Sequence, residues 1–146
     1  MPRASGFKTA RRKSKRRVSN LDENVADALG ETVDGVHRAG LENIDAMVRK
    51  KSGRLRRGYK KKLSRKTLKG LVGYVSAAAR KSAFYARFVH DGTSKTKAYP
   101  YHDNAVLEHE GRHHTRMKHA LSDALDDRAA PSGTGRVGRG RERNIK

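Results

Sequence analysis

The sequence predicts one small α+β domain: a long N-terminal helix, a small antiparallel sheet, a C-terminal helix packed on that sheet, and basic extended arms at both ends. Three observations predict it. Apolar residues recur at helical spacing over 21–49 and again over 103–126. Two short β-prone runs lie between them, and lysine and arginine crowd the two ends. A chain of 146 residues is one domain's worth. It divides into a basic arm (1–20), a folded middle (21–127) and an Arg/Gly-rich tail (128–146).

The ends carry most of the net charge of +20. Residues 1–20 hold eight Lys/Arg and no acid, and residues 128–146 hold six against one. Neither end has helical or strand periodicity, so both are expected to stay extended until something acidic neutralises them. Arg11, Arg12, Lys13, Lys15, Arg16 and Arg17 in the arm, and Arg136, Arg139 and Arg141 in the tail, are candidates to contact DNA or an acidic neighbour. They lack interleaved aromatics and any base-reading motif, so the contact expected is with phosphates, without choice of sequence.

The first helix is expected over 21–49. Asn20 is a suitable N-cap with Glu23 three residues on, and acids load the first turns while Arg49, Lys50 and Lys51 lie at the other end. Leu21, Val25, Leu29, Val33 and Val36 form its stripe, resumed by Leu41, Ile44 and Val48. Gly30, Gly35 and Gly40 each cost about 1 kcal/mol against alanine, so the helix needs packing, and their spacing allows a neighbour to come close. Its outer face is acidic, with seven acids and one arginine between Leu21 and Asp45. The basic arm of one copy could lie on the acidic helix of another, or the two could be simply a solvated face and a loose tail, since surface ion pairs are individually worth only about 0–1 kcal/mol.

After a turn around Gly53, strands are expected at 57–65 and 71–76, with Lys69-Gly70 in the turn. The first strand is rich in lysine, which suits a sheet edge or a wall facing phosphate; Lys60, Lys61, Lys62 and Arg65 are its candidates for facing DNA or an adjacent subunit. The second, LVGYVS, is apolar enough to be buried. Five of eight aromatics fall between Phe84 and Tyr101, where a two-turn helix would put Phe84 and Phe88 on one face and end at Gly92. The expected core is Leu29, Val33, Phe84, Phe88, Tyr101 and Leu107. The last helix, capped by Asp103 or Asn104, would turn Val106/Leu107, Glu110, His113/His114, Met117, Leu121 and Leu125 inward.

The chain has no cysteine, which excludes disulfides and thiolate metal sites, and no apolar run of membrane-spanning length. A soluble protein of a reducing compartment, or one carried out of it inside a particle, is expected. His109-Glu110-Gly111-Arg112-His113 has the HExxH spacing of a zinc hydrolase, with His119 ten residues after His109. The extended pattern needs a glycine at 116 to bring the third ligand round, and Arg116 stands there. On an unbroken helix His119 points about 120° away from His113 and sits roughly 9 Å along the axis. Gly92-Thr93-Ser94-Lys95-Thr96 lacks the first glycine of a phosphate loop, and His90, Asp91 and the serines form no triad. No catalytic residue, metal or cofactor is expected.

Tyr85-Ala86-Arg87-Phe88-Val89, then Gly92-Thr93, then Pro100-Tyr101 and Ala105, preceded by Ser52-Gly53-Arg54-Leu55, resembles the signature of the neck or tail-completion (head-tail joining) proteins of long-tailed double-stranded DNA phages. The order of elements is similar from about Leu21 to Asp127; His90 replaces a usual acid and Asn104 a common proline. The resemblance implies a non-enzymatic virion protein, made in the host cytoplasm and assembled as a ring of six copies at the neck. Its implied partners are adjacent head-closure, tail-terminator or tail-tube proteins and the genomic DNA in the channel, with no membrane. Thr93, Ser94 and Lys95, in the loop 93–97, would then touch a neighbouring ring. The alternative from the same charge pattern is a cellular nucleic-acid-binding module of ribosomal-protein type. An HExxH zinc hydrolase is a more remote one.

Overall fold

A computed structural model describes residues 5–49 and 53–126. The tail residues Arg136, Arg139 and Arg141, and Lys50, Lys51 and Ser52, lie outside these. The described chain runs α1 (Ser5–Met47), α2 (Arg54–Gly58), β1 (Lys60–Ser64), β2 (Lys69–Gly73), α3 (Ala77–Ser82), α4 (Ala86–Asp91) and α5 (Tyr101–Leu125). This is the expected α+β class, with a two-stranded antiparallel sheet, but the expected packing of the last helix on the sheet is corrected: α5 packs along α1 instead.

The first helix begins inside the segment expected to be an extended arm and passes Asn20 without a break. Lysine and arginine are good helix formers, and no glycine or proline interrupts residues 7–29, so a helix held by packing further on propagates back through them. Residues 6–19 are exposed throughout, a basic helical extension of the body.

α5 runs antiparallel along α1, as the cross-contacts show: Asn43 Nδ2 donates to the Tyr101 carbonyl at 3.1 Å near one end, and Thr32 Oγ1 lies 3.1 Å from His113 Nδ1 further along. The close approach rests on small residues. A Cβ at Gly35 would lie 2.7 Å from the His109 ring, and one at Gly40 would run into the Tyr59 ring. Gly30 leaves room for Leu63 of β1. The face that α5 buries is Tyr101, Ala105, His109 and Ala120. The expected stripe is therefore rotated: Leu107 is 66% exposed, and Val106, Leu121 and Leu125 are exposed as well. Alanine and glycine surfaces let two helices come closer than leucine would, and that closer packing selects the face.

The hairpin register pairs Lys61 with Val72, Lys62 with Leu71 and Leu63 with Gly70. Its turn is 65–68, with Leu68 at φ 48°, so Lys69 and Gly70 belong to β2 and not to the turn. Gly70 is needed for a different reason: a Cβ there would strike Val33 of α1. β2 is a half-exposed strand of five residues rather than the buried 71–76 run.

The core has one larger cluster, with Ile44, Leu55, Tyr59, Ala83, Ala86 and Tyr101, and a smaller one of Val36, Ala39 and Ala105; Val72 of β2 packs against both. Val33 and Tyr101 are buried as expected and Leu29 partly so, but Phe84 and Phe88 are 72% and 56% exposed. Residues 83–85 form a turn and α4 starts only at Ala86, so its buried side carries Ala86 and Val89 instead. The rings that fill the core are tyrosines from distant parts of the chain.

Candidate docking loop and charged faces

The segment from Tyr85 to Tyr101 folds into one corner. Tyr101 opens α5 and is 2% exposed. Its ring meets Tyr59 edge-on, with centroids 6.1 Å apart, and Tyr59 in turn meets Tyr74 at 5.9 Å. Each hydroxyl finds a partner: Tyr101 Oη donates to the Ala86 carbonyl at 3.3 Å, Tyr74 Oη to that of Leu55 at 3.1 Å, and Tyr59 Oη lies 2.8 Å from His102 Nδ1. Burial pushes all three phenols above their ordinary range, so they stay protonated at neutral pH. Burial also lowers His102 from its ordinary value and favours the neutral ring. The corner is a hydrogen-bonded aromatic anchor.

From that anchor projects the loop 93–97. Gly92, at φ 76°, ends α4, and a Cβ there would sit 2.8 Å from the Ala98 amide nitrogen. Thr93 and Thr96 then bridge, with backbone bonds of 3.0 and 3.2 Å and hydroxyls 2.7 Å apart. The loop returns through Tyr99, whose N–H donates to the Val89 carbonyl at 3.0 Å. Thr93, Ser94, Lys95 and Lys97 are exposed on this closed turn. His90, 2.7 Å from Asp91, and then Arg87 hold the Asp91 carboxyl below its usual range. Pro100 sits at the N-cap of α5, so Asp103 and Asn104 lie inside the helix rather than capping it.

The basic candidates divide into three groups. Arg11, Arg12, Lys13, Lys15, Arg16 and Arg17 ride on the exposed first turns of α1 rather than on an extended strand of chain. Lys61 and Arg65 turn back to the body, where they meet Asp34 and Asp27 of α1, each at 2.6 Å. Arg56 pairs with Asp45 at 2.9 Å and Arg116 with Glu31 at 3.0 Å. Asp27, Glu31, Asp34 and Asp45 of the acidic α1 face are thus paired with this chain's own cations. Lys60 and Lys62, one residue out of phase with Lys61, point the other way.

Composition alone had singled out the lysine run but not its neighbours. Arg54, Arg57 and Lys60, with Ser76 and Ser82, line a groove of about 470 Å³ between α2, β1 and α3. The signal available in the sequence is that no acidic residue stands between Asp45 and Asp91.

The two HExxH histidines both face α1. His109 is 4% exposed, against Gly35; His113 reaches Thr32; Glu110 is exposed. Among the described residues no three His, Cys, Asp or Glu side chains converge as a metal site. Nor is any described helix long and apolar enough to cross a membrane. What the surface offers is an anchored loop, exposed aromatics and two charged faces, an arrangement suited to docking. No family model matches this chain, and neither a curated protein nor a solved structure matches it.

Proposed function

We propose that this chain is a structural subunit of a long-tailed phage virion, forming a ring at the neck that completes the tail or joins it to the head around the DNA channel. One observation carries the reading beyond the resemblance. All three phenylalanines of the chain are exposed: Phe7 at 76%, Phe84 at 72% and Phe88 at 56%. A phenylalanine has no polar atom to reward exposure, so each ring gains by being covered. Leu107, Leu121 and Leu125 are left outside on α5 in the same way. The covering surface in a homo-oligomer is another copy. The bridged loop 93–97, held by Gly92 and Tyr99, is a rigid projection suited to contacting the adjacent ring. The purified full-length chain tests the reading: negative-stain electron microscopy and sedimentation are expected to show closed rings of identical subunits. A chain that stays monomeric at high concentration, binds RNA and never enters a particle would favour the ribosomal-type alternative.

A further inference from the structure

We infer that the groove between α1 and α5, bordered by Lys61 of β1, binds a small doubly charged oxyanion of the phosphate type. The helical repeat builds it. Glu31, Asp34, Gly35 and Arg38 fall at i, i+3, i+4 and i+7 on α1, and His109, Arg112 and Arg116 at i, i+3 and i+7 on α5, so each set shares one helix face. All of them, with Lys61, line one groove of about 520 Å³. Gly35 and His109 are buried and make its floor, while Arg38 and Arg112 are exposed at its rim. A Cβ at Gly35 would stand 2.8 Å from His109 Nδ1, so the ring keeps its place on the floor only because position 35 is glycine.

Charge decides the sign of the ligand. The groove holds four Lys/Arg and two acids, an excess of two positive charges. Both acids are already engaged, Glu31 with Arg116 Nε at 3.0 Å and Asp34 with Lys61 at 2.6 Å. Arg38 and Arg112 have no ion-pair partner among the described residues, and Glu42 and Glu108, one turn from them, lie outside the groove. Two buried nitrogens also lack a partner: Nη1 of Arg116 and Nδ1 of His109. A guanidinium keeps its protons, so Nη1 is a donor that only an acceptor can satisfy, and leaving it unmet is costly. A carboxylate offers its two oxygens in one plane, whereas the donors here stand on two helices on either side of a buried ring. A phosphate group presents three acceptor oxygens pointing different ways, and as a dianion it matches the excess charge. The site lies within one subunit and stands whether or not the ring forms.

Full-length protein, titrated with inorganic phosphate against chloride at matched ionic strength, tests this by heteronuclear NMR of the histidine and arginine side chains. The His109 ring and Arg116 Nε signals are expected to shift together along one saturating curve. Arg38→Gln/Arg112→Gln is compared with Lys66→Gln/Lys81→Gln, which removes equal charge from exposed positions outside the groove. Losing charge-assisted hydrogen bonds is expected to weaken phosphate at the His109 signal about tenfold, and the control change by less than about twofold. If the double variant does not fold, Arg112→Gln alone is expected to weaken it about threefold. No saturable shift at His109, or equal weakening in both variants, would overturn the site. Malonate, a dicarboxylate of the same charge, bound as tightly as phosphate would overturn the ligand class. A nucleoside monophosphate separates the two sources of the group: binding tighter than inorganic phosphate assigns a phosphate monoester, equal or weaker binding the free ion, and either supports the site.

Discussion

Gly40 and Gly111 are both helical glycines, and the structure gives them opposite prospects. A Cβ at Gly40 would enter the Tyr59 ring, which is bounded by Tyr74, Tyr101 and His102 and has nowhere to retreat. A Cβ at Gly111 would meet nothing. Gly111→Ala is expected to stabilise by about 1 kcal/mol through helix propensity. Gly40→Ala is expected to destabilise on balance, because overpacking costs about 1–3 kcal/mol against that same gain. Urea denaturation of both variants checks the pair of signs. His102 makes a second prediction. Its folded-state value is depressed by burial, so it contributes stability that is present above the ordinary histidine pKa and lost as pH falls through the depressed one. Thermal stability should therefore fall on acidification below that ordinary value. His102→Asn, which keeps an acceptor for the Tyr59 hydroxyl, should show a shallower loss when melts are compared across that pH window.

The elements show which regularities the sequence carries openly. Helix, hairpin and helix were legible in order because their periods are written in residue type. The glycines of α1 were legible too, as places for close approach, and His109, Tyr59 and Leu63 fill them. The inward face of α5 was not legible, since the richer apolar stripe lost to an alanine side that fits against α1. Two variants test the assignment of that face. Ala105→Leu, at a site with no exposed surface between Val36 and Ala39, should destabilise by about 1–3 kcal/mol in chemical denaturation. Leu107→Ser should leave the unfolding free energy of the isolated subunit within about 0.5 kcal/mol. The ion pairs from Lys61, Arg65, Arg56 and Arg116 to α1 are exposed, worth about 0–1 kcal/mol each, and serve mainly to set which side of each element faces the acidic helix.

At the scale of the whole molecule, acidic and basic charge are segregated. The region from α2 to α3 contains no acid, while α1 carries seven acids that this chain's own arginines and lysines partly neutralise. The three phenylalanines lie outside while Tyr59 and Tyr101 lie inside. Phe84→Ser/Phe88→Ser should leave the fold intact, since neither side chain belongs to the core. It should shift the sedimentation profile toward monomer, and an unchanged profile would remove these two rings from the interface.

By itself the sequence determined the α+β class, the order of its main elements and the concentration of positive charge, because these follow from composition and local period. It also determined that Tyr101 would lie inside. Only the tertiary structure decided that the basic N-terminal segment continues α1, that Lys61 and Arg65 serve the fold while Lys60 and Lys62 face outward, and that Phe84 and Phe88 stay in solvent. The reason is geometric. A local pattern says which residues can be buried, but which face wins depends on how closely two elements approach, and here glycine and alanine set that distance.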